Sequence, residues 1–352
     1  MKFRYGELFS GPGGLSLAAL RSTVRGNGEV YSISHQWATD YDKDSCETYQ
    51  RNIIGKASNS VHCKDVRKLN IEELPPIDAL AFGFPCNDFS AIGEKKGIYG
   101  EFGPLYSYGI RALRHFKPLW FLAENVSGLR YANQGMALKL ILTEMEESGY
   151  DIVAHLYRFE RYGVPQRRHR LIIVGIRSDL KKKFGVPKPQ QDVEITSREA
   201  IEEPPILENA PNHEYTRQSQ QVIDRLKHIK PGENAFNADL PEHLRLNVKG
   251  ATISVIYKRL HPDRPSYTVT GSGGGGTHMY HWSENRALTN RERARLQTFP
   301  DDYVFYGSKE SVRKQIGMAV PVTGAQRIFL AILMTMAGIE YPSIEPTIGN
   351  GA

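Results

Sequence analysis

The chain has 352 residues, 40% of them hydrophobic and 24% charged, an ordinary globular composition whose length suits one large domain or a large and a small one. A balance of 45 basic against 39 acidic residues gives +6, which accommodates a polyanionic partner without requiring one. Three cysteines, Cys46, Cys63 and Cys86, without CxxC spacing argue against a disulfide framework and against a zinc site, and no metal is expected. With no apolar leader at Met1 to Glu7 and no run of bilayer-spanning length, the sequence predicts a cytoplasmic protein without membrane contact.

Short apolar runs alternate with longer amphipathic ones through the first half, the pattern of an α/β sheet covered by helices. Strands are predicted over 4–9, 30–39, 77–84, 119–123, 151–157 and 171–176, and helices over 45–52, 105–116 and 136–148. Between the first two strands Arg25-Gly26-Asn27-Gly28 reads as a loop. After Arg177 the alternation stops; prolines and mixed polar residues to about Leu260 mark a separate small region. Gly271 to Gly276 reads first as a flexible linker, and the apolar helix predicted over 325–338 returns to the first sheet.

Several strand ends carry chemistry. The first runs into Phe9-Ser10-Gly11-Pro12-Gly13-Gly14 and then the apolar Leu15, a strand, glycine turn and helix in the order a nucleotide-like cofactor needs. The GxGG spacing lacks the third glycine of GxGxxG and argues against NAD or FAD; a plain tight turn is the bland alternative. Asp40 and Tyr41 end the second strand, placed to bind ribose hydroxyls and stack on an adenine, and Asp65-Val66 follows a third short run. Asp42 reads as a helix cap.

Pro85-Cys86-Asn87 closes an apolar strand and presents one thiol at the carboxyl edge, where open α/β sheets bind ligands. A free cysteine is more often a small buried residue, so the surroundings must decide. Glu124, at the end of the next apolar run, is predicted to be desolvated and able to stay protonated. In Gln166-Arg167-Arg168-His169-Arg170, alternation directs Arg168 and Arg170 to one face and Arg167 and His169 to the other.

Taken in order, Phe9 to Gly14, Asp40, Asp65-Val66, Gly83-Phe84-Pro85-Cys86-Asn87-Asp88-Phe89-Ser90, Glu124-Asn125-Val126, Gln166-Arg167-Arg168-His169-Arg170 and Leu296-Gln297-Thr298-Phe299-Pro300 closely resemble the DNA cytosine-5 methyltransferase family over nearly the whole chain. The resemblance implies a Rossmann-like methyltransferase sheet with a smaller target-recognition domain. It divides the chain into a catalytic and cofactor-binding domain (1–177), a target-recognition domain (178–263), a framework segment (264–322) and a C-terminal helix (323–352).

It further implies that Cys86 adds to C6 of a flipped-out cytosine, that Glu124 engages N3 and Arg170 binds O2, with Arg168 beside them, and that S-adenosyl-L-methionine supplies the methyl group. The cofactor residues on this reading are Phe9, Ser10, Gly11, Gly13, Gly14, Leu15, Asp40, Tyr41, Asp65, Val66, Pro85, Leu105, Ala319 and Val320. Residues 87–103 read as a closing lid, and Arg245, Lys249, Lys258 and Arg259 as basic groups of the recognition region. Met318 stands where the family usually has Asn. The implied partner is double-stranded DNA, with a cognate restriction endonuclease acting on the same site and the enzyme itself a monomer. An RNA cytosine-5 methyltransferase and a catalytically silent DNA-binding protein are the alternatives.

Overall fold

The computed structural model describes residues 1–55, 58–85, 105–190, 194–246, 255–271 and 277–348. β1 (Lys2–Leu8) leads to α1 (Gly14–Leu20), the hairpin of β2 (Thr23–Gly26) and β3 (Glu29–Asp40), α2 (Lys43–Tyr49), β4 (Val61–Cys63) and β5 (Ala79–Gly83). Next come α3 (Tyr106–Phe116), β6 (Trp120–Val126), α4 (Met136–Glu147), β7 (Tyr150–Arg158), β8 (Gln166–Arg167) and β9 (His169–Arg177). The second half holds β10 (Val186–Pro187), α5 (Ser197–Glu202), α6 (Gln220–Leu226), β11 (Ser266–Tyr267), α7 (Asn290–Leu296), α8 (Lys309–Met318), α9 (Val322–Ala337) and β12 (Ser343–Ile344).

The main sheet has the order β2-β3-β1-β5-β6-β9-β7, with β4 pairing β3 beside β2. β1 is flanked by two parallel neighbours, β3 and β5, so the strand order reverses at its carboxyl end. That is the switch point at which doubly wound sheets bind ligands. On the other side β9 runs antiparallel to both β6 and β7, which brings its amino end to the edge where β6 finishes.

The segment expected to be a loop at 25–28 is instead a hairpin tip: Arg25 pairs with Val30 and Gly26 with Glu29 around Asn27 and Gly28, both at positive φ. An Asn-Gly pair is the residue choice that a tight hairpin turn demands.

Strand alternation sorts the core onto two faces. Trp120 and Leu122 of β6 join Phe3, Tyr5, Ile172 and Val174 against α1 and α9, while Phe121 and Ala123 join Leu80, Phe82 and Ile173 against α3 and α4. Phe329 of α9 meets the edges of Tyr5 and Trp120 at 6.1 and 6.0 Å between ring centres. By length and composition the span Lys309–Ala337 would suffice to cross a bilayer, contrary to the sequence expectation, yet 72% of its most apolar window is buried inside the fold.

A third cluster, Leu226, Ile229, Ala235, Leu240, Tyr257, Tyr280 and Ala287, is the core of a small lobe. Its membership cuts across the boundaries read from sequence. Tyr280 and Ala287 come from beyond residue 263, whereas Val186 and Ile201 pack into the main core instead.

Candidate active site at the carboxyl edge of the sheet

The chain leaves β1 through Phe9, Gly11 and Gly13, all at positive φ, conformations that favour glycine at the two latter positions. Ser10 is buried and its hydroxyl has no hydrogen-bond partner among the described residues, while the space a Cβ would enter at Gly11 is open. At Gly14 the opposite holds: a Cβ would lie 2.6 Å from the Val320 carbonyl oxygen, so only glycine lets α1 start against the segment before α9. Tyr303 donates to the Pro12 carbonyl and fixes the loop from the far side.

Asp40 spans this loop and the end of β3. Its Oδ2 accepts from the Gly11 amide at 2.8 Å and its Oδ1 from the Asp42 amide at 2.9 Å. Burial raises its carboxyl above the ordinary value, opposed by those same amides. Asp42 caps α2 through the Ser45 amide at 3.0 Å, as its place before a helix predicted. Tyr41 stands exposed beside it. Asp65 caps the turn that follows β4 and pairs with Arg67 at 2.6 Å. Leu15, Val66 and Leu105 put their side chains into the core.

Beneath the glycine loop lies a group that sequence reasoning passed over. Glu7 of β1 is fully buried and accepts from Ser16 and from the Tyr5 hydroxyl. Burial pushes its carboxyl up to about 8, the two hydroxyl donors opposing. Ser16 also bonds Tyr49, whose hydroxyl lies 3.1 Å from His35 Nδ1. The one available signal was an acid inside an otherwise apolar strand.

The second half of the site forms where β5, β6 and β9 end together. Gly83 pairs with Glu124 across β5 and β6, and Val126 with Arg170 across β6 and β9. Glu124 and Arg170 meet at 2.9 Å, each side chain 14% exposed. The Glu124 carboxyl leans over Gly83, where a Cβ would come within 3.3 Å of its Oε2. Burial raises Glu124 above the usual carboxylate range, and the charges of Arg170 and Arg168 pull it back. The pair sets a carboxyl whose burial raises its hold on a proton beside a fixed cation. Asn125, given no role from sequence, donates to the Phe84 carbonyl at 3.0 Å and so ties down the chain just before Pro85.

Arg168 corrects the sequence expectation. It does share the Arg170 side of the strand, but it is 1% exposed and its guanidinium is taken up by carbonyls: Val269 at 2.9 Å, Gly317 at 2.9 Å and Ala319 at 3.0 Å. It positions the framework rather than facing a substrate. Gln166 and Gln297 extend the same clamp. Gln166 accepts from the Val269 amide at 2.7 Å and donates to Gln297 at 2.9 Å, and Gln297 donates to the Ile316 carbonyl at 2.6 Å. Ala319 and Val320 are therefore held against Gly14 from behind, while Met318 points to solvent.

Arg259 is likewise no surface contact: it is 3% exposed and donates to the carbonyls of Leu226, His281 and Glu284. Arg245 and Lys258 are accessible. Cys86, the 87–103 segment, Lys249 and the stretch from Ser272 to Gly276 lie outside the described residues.

The family model for C-5 cytosine-specific DNA methylases matches residues 3–334. The chain belongs to that family. It is thus a DNA cytosine-5 methyltransferase built on a Rossmann-like α/β sheet. It is 57% identical to the Type II methyltransferase M.BbvI of Brevibacillus brevis, over 98% of this chain and 94% of that protein. It is 39% identical to the Type II methyltransferase M.NgoFVII of Neisseria gonorrhoeae, over 93% and 85% of the two chains. Among solved structures, an E. coli prophage protein described as a DNA modification methyltransferase superposes with a TM-score of 0.72 at 22% identity, covering 95% of this chain and 99% of the other. A Spodoptera frugiperda DNMT2 mutant gives 0.64 at 16%, covering 94% and 99%, a likeness of fold.

Proposed function

We propose that this methyltransferase modifies one cytosine within a specific duplex sequence, that S-adenosyl-L-methionine is its methyl donor, and that it protects DNA from a companion restriction endonuclease cutting the same site, as the names of its relatives suggest. It acts as a monomer, with the small lobe and the adjoining framework reading the target. The observation that carries the reading is the Glu124–Arg170 pair, seated over Gly83 at the end of the strand that precedes Cys86 in the sequence.

The loop suits the donor: Ser10 offers a buried, unspent hydroxyl, Gly11 an open cradle, and Asp40 a carboxylate at the switch point for ribose hydroxyls. Tyr41, Asp65 and Val66 would flank its adenine, and the backbone of Ala319 and Val320 would wall the pocket. When bound, S-adenosylmethionine supplies an electrophilic methyl group on a sulfonium.

The residues of the chain do the rest. The target base leaves the duplex, because a stacked ring cannot be reached from both faces. The Cys86 thiolate adds to C6, and the electron pair of the C5–C6 bond becomes available at C5. Glu124 donates its proton or a hydrogen bond at N3 while Arg170 donates to O2, stabilising the charge that builds on the ring. Once C5 is alkylated, loss of its proton expels Cys86 by elimination and gives 5-methylcytosine.

Methylation of a random-sequence duplex pool followed by bisulfite sequencing tests the activity and its context together. A single motif with one conversion-resistant cytosine is expected; a pool left unmodified, or modification of folded RNA in preference to duplex DNA, refutes it. Oligonucleotides carrying 5-fluorocytosine at that position are expected to trap a covalent adduct that Cys86→Ala abolishes.

A further inference from the structure

Helix α1, which begins where the glycine loop ends, carries one polar side chain among its apolar ones: Ser16, completely buried. A hydroxyl shut away from water needs partners. Ser16 has two, the carboxyl of Glu7 on β1 and the hydroxyl of Tyr49, the last residue of α2. Tyr49 is 0% exposed and has no part in the chemistry or the donor contacts described above.

The partners fix which way the protons point. Ser16 gives its one hydroxyl proton to Glu7 Oε2, which also accepts from Tyr5 at 3.3 Å, so toward Tyr49 it can only accept. Tyr49 therefore gives its own proton to Ser16 and accepts from His35 Nδ1, 3.1 Å away. Burial, with the neighbouring His62, holds His35 neutral, its value down at about 4, so the ring has one N–H to give. Its Nε2 then accepts from the Ser60 hydroxyl at 2.9 Å. The result is a one-way chain from Ser60 through His35, Tyr49 and Ser16 to Glu7, which crosses from the segment before β4 through β3, α2 and α1 to β1.

Tyr49 is the link that also touches the loop. A Cβ at Gly13 would lie 2.9 Å from its ring Cδ2 and 3.0 Å from the hydroxyl of Tyr303, which donates to the Pro12 carbonyl from the other side. The opposite end of α2 is tied to Asp40, whose two oxygens accept from the Asp42 amide at 2.9 Å and the Gly11 amide at 2.8 Å. One short helix thus meets both the ribose acid, at its start, and the glycine turn, at its end. We propose that Tyr49 is a positioning residue for the methyl donor: its hydroxyl, held between Ser16 and His35, fixes α2 against α1 and so sets the spacing from Asp40 to the Gly11–Gly14 turn before the donor arrives. A site arranged beforehand spares the ordering cost of binding. The proposal rests on the donor reading above.

The test is calorimetric affinity for S-adenosylhomocysteine, the demethylated donor, in wild type, Tyr49→Phe, Ser16→Ala and the double variant, with thermal unfolding and steady-state kinetics on the same proteins. Tyr49→Phe keeps the ring against Gly13 and removes only the link. Each single variant is expected to bind about 3- to 10-fold more weakly, which is what one buried hydrogen bond contributes. KM for the donor is expected to rise in step, with kcat at saturating donor within about 2-fold of wild type. Because both changes cut the same chain, the double variant is expected to bind within about 2-fold of the weaker single variant.

An unchanged affinity, whatever the unfolding temperature does, makes Tyr49 merely structural and overturns the proposal. So does a double variant whose loss is the product of the two single losses, or a fall in kcat at saturating donor. Should Tyr49→Phe fail to fold, Ser16→Ala alone carries the affinity reading, and no change there is equally fatal. A folded wild type that does not bind S-adenosylhomocysteine undoes the parent reading instead.

Discussion

Replacing Arg168 separates a positioning role from a catalytic one. Arg168→Met keeps most of the volume but removes three donors, leaving the carbonyls of Val269 and Gly317 unpaired in a dry interior and that of Ala319 with Gln297 alone. Each orphaned acceptor costs about 1 to 3 kcal/mol. Relief of the buried cation, which burial and then Arg170 hold down at about 9, offsets part of that. A net loss of about 3 kcal/mol follows, or about 6 °C of unfolding temperature at roughly 2 °C per kcal/mol for a chain of this size. Because Ala319 and Val320 are then held against Gly14 less firmly, KM for the methyl donor is expected to rise more than kcat falls. Calorimetry and steady-state kinetics on one oligonucleotide measure both. An unfolding temperature within about 1 °C of wild type together with a kcat loss of about 100-fold or more would put Arg168 on the substrate and refute the reasoning.

Glu124→Gln keeps the shape and the contact with Arg170 but removes the transferable proton, so kcat is expected to fall about 100- to 1,000-fold with duplex affinity little changed; a near wild-type kcat removes Glu124 from the chemistry. Asp40→Ala is expected to weaken methyl-donor binding about 10- to 100-fold through the loss of charge-assisted hydrogen bonds, and calorimetric titration showing an unchanged constant rejects the ribose assignment. Glu7 binds its proton more tightly folded than unfolded, so the stability it adds is complete below about pH 4.5 and is lost as pH rises to about 8. Urea unfolding at intervals across that window is expected to show a decline that Glu7→Gln flattens; parallel profiles for the two proteins sink the assignment.

Periodicity was enough to locate the six long strands and the main helices, because alternation on β6 and the helical stripe of α4 report directly which face meets the core. The placement of Glu124 beside Arg170 was also legible, since both stand at strand ends that an α/β sheet brings to one edge. What sequence could not supply was partnership across long separations. Arg168 looked like Arg170, and only the carbonyls of residues 269, 317 and 319 distinguish a clamp from a contact. Arg259 was misjudged for the same reason: a basic residue in a polar stretch reads as surface unless the carbonyls that saturate it are visible. The small lobe's limits blurred because its core borrows Tyr280 and Ala287 from the framework.

The contact between Gly14 and Val320 joins two segments far apart along the chain. On the proposed reading the two walls of the donor pocket come from opposite sides of this contact, so a fragment holding only one of them would not bind the cofactor. Two separately expressed pieces, divided within the small lobe, would each be silent and would regain function only on reassociation, which makes this fold a natural substrate for a split reporter of proximity on DNA.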